Sequence, residues 1–294
     1  MKWLLSPMQL AVIGIGAFAL SVLSAILWAL TGDMSWTVDF FRYPGAWFLV
    51  FICAVQLQLS YYVWKSFDPG EPLESAWFLL TMAAAVRLLG TAISQLLRPF
   101  LMDGQWLDPT VVKDMGIVLS SPLMFLLLGA GLALVLRVYK QLGLLGTLNK
   151  VDYVLIGLSV LFCLHQAKEV IEWLPDLKRR FNVFAMLNWA SDPLLSLLLV
   201  ESIVLWRAGR NLAGGYIEHC YRAFAVAVML TSLGNVGIWI EAWGLLPWPY
   251  RAVVWFIWIP AAVWYAVAPA YMAQAITRAM RPSPASSTQA TPSY

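Results

Sequence analysis

Several separate stretches of this chain, residues 114–140 and 250–278 among them, are predominantly apolar over more than roughly 18 residues, the length a helix needs to cross a bilayer. In hydrocarbon a backbone N–H or C=O finds no water, so only helices or a closed barrel can cross. The stretches are continuous and lack the strict alternation of a half-buried strand, which selects helices. The composition agrees: 61% of residues are hydrophobic and 12% charged, against about 25% charged in soluble domains. The chain therefore reads as an all-α, polytopic integral membrane helix bundle.

Eight crossings are expected, at roughly 8–30, 45–66, 73–97, 114–140, 150–173, 184–208, 217–243 and 250–278. The first begins so close to the N-terminus that it resembles a signal peptide. It runs on to about Leu30 without a small-residue cleavage pattern, so it reads as a retained helix. Residues 282–294 are rich in Pro, Ser and Thr and read as a disordered tail after a single membrane domain, 1–281. With the N-terminus inside, ten Lys and Arg fall on the inner side (Lys65, Arg137, Lys140, Arg207 and Arg210 among them) and eight on the outer. The positive-inside rule then sets both termini in the cytoplasm, in a bacterial inner membrane.

The second and third helices, and again the sixth and seventh, carry a tryptophan (Trp64, Trp206), a basic residue, a Gly-containing turn and a helix with a central glycine (Gly90, Gly234). The fourth and eighth each carry an early proline (Pro122, Pro260). Two readings stand: a tandem repeat of four-helix halves, 1–146 and 147–281, or the ordinary likeness of short-looped helical bundles. Four crossings per half make such halves parallel, related by an axis along the membrane normal.

Within Trp64–Leu97, the "DPGEP" turn between a basic helix end and an apolar helix resembles the membrane-embedded sensor half of bacterial 7TM-type histidine kinases. That resemblance implies a role in signal reception. With no output module after the last helix, it further implies that a partner subunit supplies the output.

Ionisable groups at membrane depth cost about 2.5–3.5 kcal/mol and need partners or reasons. Arg87, in "TMAAAVRLLGTAIS", falls about 15 Å from the nearer end of its predicted helix at 1.5 Å per residue. In "NWASDPLLSLLLVES", Asp192 followed by Pro193 suits a helix start, with an acid facing the positive end of the dipole. The other reading makes Asp192 a buried acid at a proline kink. With Asp192 at the helix start, Glu201 falls near the depth of Arg87, and an Arg87–Glu201 ion pair is expected. Such a pair either fixes helix register or forms part of a ligand, ion or proton site, with Gln56 and Gln58 as polar neighbours.

The two histidines, His165 and His219, fall on opposite sides, which excludes a bis-histidine haem between them. His165 stays a ligand candidate against the blander role of a packed polar side chain. The cysteines, Cys53, Cys163 and Cys220, are far apart and form no paired motif. No phosphate loop, metalloprotease motif, nucleophile elbow or acid-rich metal motif is present, and no cofactor or metal is expected. The net charge of +3 is too small to imply nucleic acid. Of the sixteen tryptophans, Trp28, Trp47, Trp64, Trp77, Trp173, Trp206, Trp243 and Trp248 sit at predicted span ends, as interfacial anchors do. Trp255, Trp258, Trp264 and Tyr265 lie near one stripe of the last helix. They read either as core or as an apolar binding face.

The expected function is non-enzymatic: a receptor-like or accessory membrane subunit that binds the bilayer, other membrane subunits or an apolar small molecule. A small secondary transporter with a midplane Arg/acid site is the second expectation, and a membrane enzyme acting on lipid the third.

Overall fold

A computed structural model describes residues 6–32, 44–94, 109–145, 150–154, 156–161, 164, 187, 190–210, 215–242 and 251–280. Eight α-helices are defined among the described residues: α1 Pro7–Thr31, α2 Ala46–Lys65, α3 Pro72–Ala92, α4 Pro109–Val118, α5 Met124–Gln141, α6 Ser191–Arg210, α7 Tyr216–Ala242 and α8 Arg251–Ala279. A wider, π-type turn over Leu119–Leu123 joins α4 to α5 and contains Pro122. Proline has no N–H for the regular ladder, and an irregular turn is where a helix tolerates one.

Local sequence explains how the chain reverses. Between α2 and α3, Gly70 takes a positive φ of 91°, open to glycine without strain. Pro72 then occupies the first turn of α3, with Glu71 as the extended residue before it, where a proline loses no hydrogen bond. At the end of α5, Gly143 is left-handed, and Leu144 N–H returns to the Tyr139 carbonyl at 2.9 Å, closing the helix.

Six helices pack as a closed ring, in the order α2, α3, α5, α6, α7, α8 and back to α2, while α1 lies outside against α8. The core holds Trp77 of α3, Leu128 and Leu132 of α5, Leu198 of α6, Tyr221 of α7 and Tyr265 of α8. Between membrane helices the association comes from close packing rather than from expelling water, so small residues sit at the contacts. A Cβ on Gly90 would lie 2.5 Å from the Gly116 carbonyl oxygen and 2.6 Å from Ser120 N, so α3 meets the α4 end backbone to backbone. Gly131 of α5 receives Leu80 of α3, and Gly209 of α6 receives the backbone of Glu218. In α1, Gly14 packs on Trp264 while Gly16 faces open space.

Among the described residues, four segments are long and apolar enough to cross a membrane: Ala46–Lys65, Pro72–Ala92, Asp114–Gln141 and Ile257–Ala279. They correspond to four of the eight expected crossings. α1 is a helix of 25 residues, Pro7–Thr31, without a charged side chain. Half of the predicted 150–173 span lies outside the described residues, and 150–154 and 156–161 are helical. α6 starts at Ser191 rather than 184 and carries Asp192, Glu201, Arg207 and Arg210 in twenty residues. α7 carries Glu218 and Arg222 near its start, followed by a long apolar stretch. The outer surface exposes large apolar side chains, including Phe18, Phe51, Phe78, Leu89 and Leu126, the surface that lipid contact requires.

The backbone contact at Gly90 yields a direct test. Gly90→Ala should lower stability by about 1–3 kcal/mol, because the helices must part. Gly16→Ala, with nothing near it, should leave stability unchanged in the same thermal unfolding measurement. Equal stability of both variants would contradict the close approach.

Candidate functional site

Arg87 stands on α3, fifteen residues past Pro72, and reaches two other helices of the ring. Its Nη1 donates to Gln56 Oε1 of α2 at 3.1 Å, and its guanidinium carbon lies 4.5 Å from the centre of the Tyr265 ring on α8. Gln56 and Tyr265 are both buried. Gln56 is placed by the face that α2 turns inward, which also buries Ile52, Leu59 and Val63. A cation over an aromatic face is stabilised by about 0.5–2 kcal/mol, more when water is excluded. The Tyr265 hydroxyl is buried without a hydrogen-bond partner. One cation thus touches both α2 and α8.

Glu201 is not the partner of Arg87. Its Oε2 is buried without a hydrogen-bond partner and lies on the α5 side, where a Cβ on Gly129 would sit 3.6 Å away. The expected ion pair is therefore corrected. α3 and α6 are not adjacent in the ring; α5 stands between them. Matching depth along two helices, which sequence spacing yields, does not place them side by side. Gln58, two residues from Gln56, is exposed on the outer face of α2 and takes no part. The 100° turn per residue carries the two glutamines to opposite sides.

Asp192 lies in the first turn of α6. The helix begins at Ser191, and Leu194 N–H bonds the Ala190 carbonyl at 3.2 Å. Pro193 is therefore the third helical residue rather than the first. Asp192 Oδ1 accepts a 2.6 Å bond from Asn235 Nδ2 of α7, tying two ring helices at the end opposite the Arg210–Glu218 contact of 4.0 Å.

The aromatic stripe of α8 does not act as one surface. Tyr265 faces Arg87, Trp258 packs on Gly234 of α7 and Trp264 on Gly14 of α1. The Trp255 side chain lies outside the described residues, as does His165. Trp77, expected as an interfacial anchor, is fully buried. It falls on the inward face of α3 together with Leu80, Ala84 and Thr81. Trp64 behaves as an anchor: its Nε1 donates to Glu74 at 2.7 Å and Lys65 Nζ covers its ring at 3.8 Å.

Three contacts went unread in the sequence. Asp152 and Arg207 form an ion pair and hydrogen bond. The Tyr139 hydroxyl donates to that of Tyr221 at 3.3 Å, joining α5 to α7. His219 lies 5.2 Å from the ring of Tyr271, beside Tyr216 and the Arg278 guanidinium that covers it at 4.4 Å. Only Asp152–Arg207 left a signal, an isolated acid near the start of an apolar run opposite a basic helix end.

No family model, curated protein or solved structure matches the chain. The likeness to sensor kinases therefore rests on its short turn motif alone.

The geometry predicts how charge removal combines. Arg87→Gln and Glu201→Gln should add within about 0.5 kcal/mol, as separated sites do. Arg87→Gln and Gln56→Leu share a hydrogen bond and should couple beyond that. A strong coupling between positions 87 and 201 in the double-mutant cycle would restore the ion pair.

Proposed function

We propose that the chain is a receptor-like or accessory membrane subunit that holds a small molecule inside its helical ring, at Arg87. One observation carries this reading. Arginine remains protonated in proteins, yet the partners of Arg87 are a neutral amide and an aromatic ring. A charge deep in a membrane protein requires compensation. Among the described residues no acid pairs with it, so a bound molecule with an acidic group and an apolar body supplies the anion. The expected apolar ligand is thereby narrowed to an amphipathic one.

We also read the bundle as crossing eight times, with α1, α6, α7 and a helix from residue 150 joining the four most apolar segments. The order of ring contacts supports a two-fold arrangement of halves. α2–α3, α3–α5 and α5–α6 are matched by α6–α7, α7–α8 and α8–α2. Gly90 meets the fourth crossing at Gly116, and Gly234 meets the eighth at Trp258. Both ends then share one side, assigned to the cytoplasm of a bacterial inner membrane.

The transporter reading keeps one supporting observation. Pro122 breaks the regular ladder of the fourth crossing and Pro260 lies inside the eighth. Irregularities at matching places in two repeats are where transporters bind and move substrate.

Native mass spectrometry of gently purified protein should find a small molecule on the wild type and none on Arg87→Gln. Equal retention by both would refute binding at Arg87. Ligand-dependent uptake into proteoliposomes would shift the assignment to the transporter. For topology, single cysteines at positions 68 and 143, in a background lacking Cys53, Cys163 and Cys220, should label from the same side. Labelling from opposite sides removes the eight-crossing arrangement.

A further inference from the structure

Contacts around the start of α7 bring several helix ends to one side of the bundle. The Tyr139 hydroxyl of α5 donates to that of Tyr221 at 3.3 Å. Gly209 of α6 lies on Glu218, and the Arg278 guanidinium of α8 covers Tyr216 at 4.4 Å. Tyr62 of α2 reaches Thr277 of α8 at 3.4 Å. The ends of α2, α5, α6 and α8 therefore lie beside the start of α7. This end is charged unevenly. Along α5 to α8 it carries Arg137, Lys140, Arg207, Arg210, Arg222 and Arg278. Among the described residues the acids on that side are Asp152 and Glu218, which face Arg207 and Arg210. The turn after α2 is the reverse, with Asp68, Glu71 and Glu74 following Lys65.

Arg222 differs from the other cations in its place on the helix. It is exposed on the outer side of α7, about 9 Å along the axis from Tyr216. Glu218, one turn earlier, faces Arg210 at 4.0 Å instead. Beyond Arg222, at steps of three and four residues, come Val226, Met229, Leu233 and Val236, which share its face of the helix. Met229, Leu233 and Val236 are exposed. We propose that this face of α7 docks an anionic phospholipid of the adjoining leaflet, with Arg222 on the headgroup phosphate and the apolar stripe along an acyl chain. The assignment rests on reading α7 as a crossing helix and is separate from the site at Arg87. The lengths agree: Leu233 lies about 16 Å along the axis from Arg222, and one leaflet of hydrocarbon is about 15 Å deep. The direction agrees as well. Helical side chains lean toward their own N-terminus, and α7 starts at the charged end. The stem of Arg222 therefore runs along apolar surface toward the headgroups and delivers the guanidinium there, where its planar fork suits a phosphate. The surplus of cations on the neighbouring helix ends favours a lipid of net negative charge over one whose phosphate is offset by choline. An acidic protein surface would meet the charge but leave the stripe beneath it unused, whereas one amphipathic lipid covers both.

The test reads which lipid sits on the stripe. Leu233→Cys, in the full chain without Cys53, Cys163 and Cys220, carries a bimane fluorophore in vesicles of mixed phosphatidylcholine and phosphatidylglycerol. Bromine is placed on the acyl chains of one lipid or the other, and quenching reports the local share of each. Brominated phosphatidylglycerol should quench as though enriched about fivefold at the stripe, the effect of one arginine near an anionic headgroup. Arg222→Gln should bring the two lipids close to parity. Arg222→Lys, which keeps the charge, should retain the enrichment and guards against a variant that fails to fold. Arg87→Gln, and Lys65→Gln at the acidic turn, should leave it unchanged. Raising salt from about 10 mM to about 1 M should reduce it, because screening shortens from about 30 Å to about 3 Å. Equal quenching by both lipids in the wild type would overturn the proposal while leaving α7 in the bilayer, and would hand the charged end to an acidic protein partner. Enrichment that survives Arg222→Gln would overturn the role of Arg222. Quenching by neither lipid would show that α7 does not cross, and the docking surface would fall with that reading.

Discussion

A guanidinium cannot shed its proton inside a protein, so wherever the fold buries one it must provide for the charge. Here Arg87 receives the amide oxygen of Gln56 and the face of Tyr265. Both hold and orient a cation without cancelling it. In the ring order α2, α3, α5, α6, α7, α8, the helix α2 packs on both α3 and α8, which brings these three together at Arg87.

The ring closes tightly because glycines let backbones touch. Gly90 with Gly116, Gly131 with Leu80 and Gly209 with Glu218 are contacts that an added methyl would disturb. Such contacts specify register, since sliding one helix by a residue turns a glycine away and a larger side chain in. The positions of Arg87 and Glu201 on either side of α5 therefore depend on packing far from either charge. Gly129 differs from these close contacts: its empty side leaves room beside Glu201 rather than admitting a neighbour.

Much of the site's composition was legible, and its connections were not. Arg87, Gln56, Glu201 and Asp192 stand out because polar groups are costly in apolar helices. Their partners depend on which helices are neighbours, and spacing along one helix carries no such information. Arg87 and Glu201 match in depth, which made a pair reasonable, but the chain puts α5 between them. Gln58 and Trp77 failed for a related reason. Both were assigned by position along the helix, whereas the angle around the axis sends Gln58 outward and Trp77 inward.

The sequence by itself determined that this is an all-α chain with apolar helices suited to a bilayer, that Asp192 falls in the first turn of a helix, and that a cation interrupts an apolar one. These follow from the length of apolar runs, the absence of water in hydrocarbon and the chemistry of a helix's first turn, all of which are local. Only the tertiary structure decided that Gln56 and Tyr265 hold Arg87, that Asp152 takes Arg207 and Asn235 takes Asp192, and that Glu201 is left without a partner. Those choices are made between residues 31 to 178 positions apart in the chain. They are set by which helix faces can approach closely, and that is a property of the packed bundle.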